Sequence, residues 1–296
     1  MKAATHDGTF HADDVFAAAV LRRIFPNIEI KRTRDPGEIE RADIVFDVGG
    51  IYNPKTLRFD HHQKGSPVRE NGIAYSSFGL VWKEFGERYC DSKAVADQID
   101  SILVQPVDAS DNGQAISMTT DYKIWPFSVE DVIVGFNPST FGSDELGMEG
   151  QLFCEAIGLA ERILDRLAVK TKEKLDTLDY IESQSLESPD ERYVVLESAV
   201  PLNGLRIPNK RLLYTLSPRS NSVDSGWGVR AILEDEGEYV YRKLLPAEWA
   251  GLHSKELVQV SGVADAIFCH KHRFLAGTKT REGAIRLAQK ALAEEE

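Results

Sequence analysis

The chain carries 296 residues, 35 basic against 47 acidic, for a formal charge of −12. Apolar residues make up 42% and charged residues 28%, a globular composition that excludes disordered and fibrous classes. The longest strongly apolar run, Val15 to Leu21, is far short of the ~20 residues a membrane helix needs, and the acidic excess argues against non-specific nucleic-acid binding, which draws on Lys and Arg to neutralise phosphate.

The length predicts two domains or one large one. Lys2–Thr5 is a short strand candidate. Residues 13–25 follow as a helix, with Val15, Phe16, Ala19, Val20 and Ile24 on one face. Strands are expected at Ile28–Arg32, at Asp43–Val48 ahead of Gly49-Gly50, and at Leu57–Asp60. Strands alternating with helices imply βαβ units and a mostly parallel sheet, hence an α/β protein. Phe78, Trp82, Phe85 and Tyr89 then form a helical stripe, and Val95, Ile99 and Leu103 a shorter one that Pro106 should stop. A long helix is expected from Gly150 to about Tyr180. The polar segment after Ile181, with Pro189, places the domain boundary so that residues 1–188 and 189–296 form two domains. Beyond it, Tyr193–Glu197, Arg211–Leu216, Val229–Leu233 and Tyr239–Lys243 are strand candidates, and Arg281–Ala293 a last helix. Cys90, Cys154 and Cys269 are an odd, scattered set without a C-x-x-C pair, against a disulfide framework. The N-terminus lacks the apolar stretch and cleavage site of a secretory signal, so a reducing, cytoplasmic setting is expected.

Imidazoles and carboxylates collect where the predicted strands end. His6, His11 and Asp13 lie in T-H-D-G-T-F-H-A-D-D, Asp47 in V-F-D-V-G-G, and Asp60-His61-His62 follow the Leu57–Phe59 strand. In open α/β sheets, ligands bind outside the carboxyl ends of strands. Singly, each has a structural reading: Asp13 caps a helix, Asp47 satisfies a turn, and a lone histidine bonds to backbone. Jointly those readings are poor, because His6, His11, His61 and His62 are four of the seven histidines. Mixed imidazole and carboxylate donors suit Mn, Fe, Co or Zn, with Mg if oxygens dominate. Seven candidate donors exceed the needs of one ion and point to a two-metal site.

These motifs, with D-A-S-D-N-G at 108–113, F-N-P-S at 136–139, L-L-P-A-E-W-A-G-L at 244–252, V-S-G-V at 260–263 and T-K-T-R-E-G-A at 278–284, resemble the MYG1 family, also called UPF0160. That family is similar in its metal motifs to the DHH phosphoesterases, which include RecJ-type exonucleases and family II pyrophosphatases. The resemblance covers essentially the whole chain. It implies a DHH-phosphoesterase-like parallel-sheet N-terminal domain and a smaller α+β C-terminal domain that closes over the metals. By similarity, His6, His11 and Asp47 would hold one ion, and Asp13, Asp47, His61 and Asp108 the other, with Asp47 as the bridge. His62 would face the substrate phosphate. Where the superfamily shows D-x-D, this chain has His11-Ala12-Asp13, which could move ion preference toward softer metals. The fourth motif offers Asp108 or Asp111; Asp108, nearer the end of the preceding helix, is preferred.

From Ile267 to Ala284 a strand, a Gly-containing turn and a helix N-terminus suit anion binding through free backbone N–H groups. His270, Gly277, Thr278, Lys279 and Arg281 are the candidate substrate contacts there, Lys279 and Arg281 also sharing with His62 the orientation of phosphate. With Lys271 and Arg273 they would form a basic rim. Alone, the segment would be a solvated surface turn. Ala276-Gly277 stands where the family often has two glycines, and Cys269-His270-x-His272 lacks zinc-finger spacing. The resemblance implies a two-metal phosphoesterase using two divalent ions, Mn²⁺ foremost, with a 3′–5′ exonuclease on RNA or short single-stranded oligonucleotides as the leading substrate class. Hydrolysis of a small phosphate compound, such as a dinucleotide or a phosphoanhydride, and a non-enzymatic metal-containing binding module are the rivals.

Overall fold

The computed structural model describes residues 1–114, 126–139, 147–222, 225–235 and 239–294. The chain divides into two units, Met1–Lys172 and Glu173–Glu296. It is an α/β protein with one mixed sheet in each unit.

The N-terminal unit runs β1 Lys2–Thr5, α1 Ala12–Ile24, β2 Glu29–Arg32, α2 Pro36–Arg41, β3 Ile44–Phe46, β4 Tyr52–Asn53, β5 Arg58–Phe59, α3 Ser77–Cys90, α4 Lys93–Ile99, α5 Gln105–Asp111 and α6 Val129–Val134. The long helix α7, Glu149–Ser185, continues across the division. The sheet order is β2-β1-β3-β5-β4, parallel except for β4. Helix α1 is buried almost all round, from Ala12 through Leu21. Its alanines at 17, 18 and 19 let neighbouring backbones approach on every side, which is why a helix this apolar lies inside the unit. Phe16 meets Phe78 of α3 at a centroid distance of 5.1 Å, and Phe78 meets Trp82 edge-on at 5.9 Å.

Three expectations shift for identifiable reasons. Pro106 does not stop the helical run: α4 passes through a wide π turn, Asp100–Val104, into α5. The wide turn immediately before Pro106 accommodates its ring and its missing N–H within the continuous run. The short helices α2 and α6 have too few residues for a legible stripe, although Asp35 and Ser128 cap them. The unit boundary falls inside α7 rather than at 188/189, because Ile181 near the end of that helix packs with Val194, Leu196 and Leu205.

The C-terminal unit carries β6 Tyr193–Val195, β7 Tyr214–Pro218, β8 Trp227–Ala231, α8 Ser254–Ser261, β9 Ala266–Cys269, β10 Leu275–Thr278 and α9 Arg281–Ala293. Its sheet order is β6-β7-β8-β10-β9; only the β6–β7 pair is parallel. Residues 239–243 form no strand; Tyr241 makes one isolated bridge to Leu233. Several family-like segments serve this unit's packing. Leu245 and Trp249 are core residues, and the Ser261 hydroxyl donates to the Leu257 carbonyl at the end of α8.

The α1–α3 contact sets the N-terminal core. Replacing Phe78, which is fully buried, with Ala should cost about 3–5 kcal/mol, read as a lowered denaturation midpoint. A loss below ~1 kcal/mol would show that the contact is dispensable.

Candidate metal centre

The chain brings its imidazoles and carboxylates together at the carboxyl ends of β1, β3 and β5. His6 follows β1 directly, and the loop from there returns to α1 with His11 at the N-cap. Asp13 and Asp14 occupy the first turn of that helix, where its positive end favours carboxylates. Asp14 Oδ1 accepts the His11 backbone N–H at 3.0 Å. Asp47 ends β3 with φ of 54°, a left-handed conformation that costs a non-glycine residue about 1 kcal/mol or more. It persists because the Asp47 N–H still donates to Phe59 O of β5 at 3.3 Å, while the Ser77 hydroxyl donates to its Oδ1 at 3.2 Å.

The two oxygens of Asp47 serve different neighbours. Its Oδ2 lies 3.1 Å from His6 Nε2, and its Oδ1 lies 3.3 Å from His61 Nε2. His6 Nε2 also lies 3.3 Å from Asp14 Oδ2, and His61 Nε2 lies 3.3 Å from Asp111 Oδ2 and 3.9 Å from Asp13 Oδ2. Three donor groups converge closely enough to share an ion: Asp47 with His61 and His62, His6 with Asp14 and Asp47, and His11 with Asp13 and Asp111. They border a cavity of about 1090 Å³.

Electrostatically the arrangement is short of positive charge. Burial, reinforced by the charges of Asp47, Asp111 and Asp14, pushes the Asp13 carboxyl well above the usual range. Burial likewise raises Asp111, against the pull of His61. His6 loses charge stability on burial, but hydrogen bonds to Asp14 and Asp47 outweigh that and raise it to about 10. Burial opposes ionisation of Asp47 too, yet His6 and His61 hold its carboxyl below the usual range. Both oxygens of Asp13 are buried without a hydrogen-bond partner. Buried polar atoms are nearly always satisfied. Converging donors left unsatisfied, with surplus negative charge, fit divalent cations.

Asp60 plays a different part. Its Oδ1 accepts from the His61 N–H at 2.7 Å and the His62 N–H at 3.1 Å and lies 2.8 Å from His62 Nδ1. Its Oδ2 accepts the Gly50 N–H at 2.5 Å. The first residue of the D-H-H triplet therefore clamps the other two and fixes the Gly49-Gly50 turn. His61 is turned inward, whereas the His62 side chain is 63% exposed.

Asp108, the preferred fourth-motif residue, is not brought to the histidines; Asp111 is. The Asp108 carboxylate accepts from Arg69 Nη1 and Ser76 Oγ, each at 2.5 Å, and from the Gly79 N–H at 3.0 Å. A Cβ on Gly79 would lie 2.0 Å from Asp108 Oδ2, so glycine there makes room for this carboxylate. Burial still lifts Asp108 to about 6. It ties α5 to α3, leaving Asp111, one turn later at the helix end, to reach the cavity. Proximity in sequence could not decide between them; the basic and hydroxyl partners Arg69 and Ser76 are distant in the chain.

Three further residues of this site lay outside the expected set. Asp14 went unassigned beside Asp13, although both fall in one helical turn. Asn137, within F-N-P-S, accepts the Phe10 N–H at 2.9 Å and donates to the Phe10 carbonyl at 2.8 Å. Glu130 accepts the Ala12 N–H at 3.3 Å. Together Asn137 and Glu130 pin the loop that carries His11.

The C-terminal candidates sit differently from expectation. The N-terminus of α9 already has an anion: Asp265 Oδ2 accepts from the Thr280 N–H at 2.9 Å and its hydroxyl at 2.6 Å. Arg281 pairs with Glu197 at 3.1 Å, and Lys279 is exposed. Thr278 is fully buried, and the space beside Gly277 is filled by the Phe268 ring, 2.5 Å from where a Cβ would stand. Gly277 thus admits a side chain rather than a ligand. His270 Nδ1 accepts the His272 N–H at 3.2 Å and Cys269 is buried, so this trio closes a hairpin turn.

The sequence matches the family described as "Uncharacterised protein family (UPF0160)", labelled MYG1_exonuc, over residues 2–292. The chain belongs to that family. The "MYG1 exonuclease" of Mus musculus is 30% identical over 329 residues, covering 98% of this chain and 84% of that one. The MYG1 protein of Schizosaccharomyces pombe is 28% identical, covering 99% and 97%, and that of Chlamydia pneumoniae 33% identical, covering 95% and 93%. Family membership thus extends through both units. Among the described residues, no helix is long and apolar enough to cross a membrane.

Two comparisons test these placements. Asp108→Ala should cost about 1–3 kcal/mol by removing the buried acceptor of Arg69 Nη1, the Ser76 hydroxyl and the Gly79 N–H, while Asp100 stays paired with the guanidinium. Asp111→Asn should leave metal-free stability unchanged or raised, because it removes one of several crowded carboxylates, and should weaken Mn²⁺ binding. Denaturation and metal titration of both variants check this; the reverse pattern would restore Asp108 as the ligand. Gly277→Ala should lower stability by about 1–3 kcal/mol through overpacking against Phe268. An unchanged denaturation midpoint would instead mean open space beside Gly277.

Proposed function

We propose that this chain is a divalent-metal-dependent phosphodiesterase with a DHH-like catalytic domain, acting as a 3′–5′ exonuclease on RNA or short single-stranded oligonucleotides. The observation that carries the reading is Asp47, whose two oxygens face two separate histidine-carboxylate groups. The exonuclease naming of the mammalian relatives supports the reaction class. His6, Asp14 and Asp47 would hold one ion. Asp13, Asp47, His61 and Asp111 would hold the other, with His11 beside Asp13 and Asp111. The proportion of carboxylate to imidazole favours Mn²⁺, with Mg²⁺, Zn²⁺, Co²⁺ or Fe²⁺ as alternatives.

When bound, a pair of such ions lowers the pKa of water and offsets charge developing on a phosphate. The chain's own residues supply the rest. Asp47 holds both donor groups in register through its fixed backbone. Asp60 orients His62 through the 2.8 Å contact with Nδ1, leaving Nε2 for the substrate. From the cavity rim, His62 would hold a proton at the leaving oxygen and fix the phosphate's orientation. Gly8, Gly49 and Gly50 border the same cavity with positive φ values and no side chains to exclude a phosphate backbone. Asp108 is left out of the ligand set and Arg281 is occupied by Glu197.

One preparation assayed with Mn²⁺ against oligoribonucleotides, dinucleotides and pyrophosphate tests the reading. Oligonucleotides should be shortened stepwise from the 3′ end. Asp47→Asn should cut that rate roughly 10²–10³-fold or more and lower bound metal, while the thermal midpoint measured without metal stays near wild type. Activity confined to pyrophosphate, or an Asp47→Asn variant with full turnover, would contradict it.

A further inference from the structure

The sheet of the C-terminal unit has two unlike faces. Strand alternation sends Tyr214, Leu216, Val229, Ala231 and Ala276 into the core that includes α9. The intervening Thr215, Arg230 and Leu275 are cross-strand partners in register, so they share the opposite face. There Leu205, Ile207 and Ile232 pack beneath the end of α7. Beside them opens a cavity of about 600 Å³, lined in part by Thr215, Arg230, Tyr241 and Phe274. A smaller one of about 330 Å³ shares Arg230 and adds Arg219 and Ser217.

Two polar groups of this face lack a structural partner, and an aromatic pair stands beside them. Arg230 is half-buried, and among the described residues no carboxylate pairs with it or with Arg219. Burial pulls the Arg230 guanidinium below the usual arginine range, opposed only by Tyr241. The Thr215 hydroxyl, on a residue 1% exposed, has no hydrogen-bond partner. Tyr241 and Phe274 stack nearly parallel, 5.7 Å between centroids and 11° between planes, with Arg230 6.0 Å from the Phe274 centroid. A half-buried cation without a counter-charge destabilises a fold unless an anion covers it. The guanidinium fork matches phosphate bidentately, and flat aromatic walls accept any base through its π-face. Both cavities are within the ~300–1,000 Å³ range of small-ligand sites.

We infer that this face is a nucleotide-binding site in which Arg230, joined by Arg219, holds the phosphate and the Tyr241–Phe274 wall holds the base. The Thr215 hydroxyl supplies a hydrogen bond between them. The choice of ligand class rests on the nucleic-acid reading above; the site itself rests on residues of the C-terminal unit alone.

The test is calorimetric titration of the full chain, in chelator, with the 5′-monophosphates of adenosine, guanosine, cytidine and uridine. Inorganic phosphate and adenosine serve as single-feature probes. The four nucleotides should bind within about tenfold of one another, and phosphate or adenosine alone at least about tenfold more weakly. Arg230→Met should lose at least about tenfold in affinity, with Arg230→Lys between it and wild type. The thermal midpoint of ligand-free Arg230→Met should equal or exceed wild type, since an unpaired charge is removed. A midpoint lowered in both Arg230 variants would mark a structural arginine and overturn the inference. Absent binding, binding unaltered by Arg230→Met, or phosphate as tight as nucleotide would also overturn it. Asp47→Asn should bind nucleotide as wild type does; its failure to do so would move the ligand to the metal centre and overturn the inference. A chain that hydrolyses oligonucleotides with Mn²⁺ yet binds no nucleotide in chelator refutes this inference alone. One that binds nucleotide but hydrolyses nothing supports it and refutes the proposed function alone.

Discussion

Asp13, Asp14, Asp47 and Asp111 crowd together around the buried imidazoles of His6 and His61, and such a set cannot all remain anionic without added positive charge. Protons answer that demand in the metal-free chain. Asp13 is held well above the usual carboxylate range and His6 is raised to about 10. Under the proposed function, divalent ions replace those protons, so loading the site releases them to solvent. The same crowding accounts for the buried oxygens of Asp13 that make no hydrogen bond. A protein stabilised only by its own contacts would have little reason to keep them.

What holds these donors in place is mostly backbone. Asp47 stands in a left-handed conformation, kept there by its ladder bond to Phe59. Asp60 gathers three N–H groups and the His62 ring, so the turn after β3 and the segment after β5 move as one piece. Asn137 grips both polar groups of Phe10, and Arg32 lies over the Phe10 and Phe153 rings while donating to the Gly8 carbonyl. Three strand ends and one loop are thereby tied before any ligand arrives. Such pre-organisation is what a site requires when its reaction depends on fixed charges rather than on moving ones.

Much of this was legible in the chain itself. β1 and α9 occupy the residues expected of them, α1 begins one residue before its expected start and α3 one residue before its stripe. His6, Asp47 and His61 stand out because histidines and aspartates mark the ends of parallel strands. What was not legible depends on partners distant in sequence. Asp108 and Asp111 lie one helical turn apart, and only Arg69 and Ser76, contributed by another part of the fold, decide which of them is consumed internally. Gly277 looked like a place for ligand backbone to approach, but the Phe268 ring fills it. The α9 N-terminus looked open to phosphate, but Asp265, from the loop between α8 and β9, supplies its own carboxylate. Local chemistry names the groups capable of a role; tertiary contacts decide which remain free to perform it.

The proposed function turns on Asp47 joining two cations in one site. Electron paramagnetic resonance of the full chain loaded to saturation with Mn²⁺ reads that directly, because ions sharing a carboxylate bridge couple their spins. The account predicts two ions per chain by elemental analysis and a broad, temperature-dependent exchange-coupled spectrum, replaced in Asp47→Asn by weak, uncoupled signals. A wild-type spectrum of isolated six-line centres, or a single ion per chain, would contradict it.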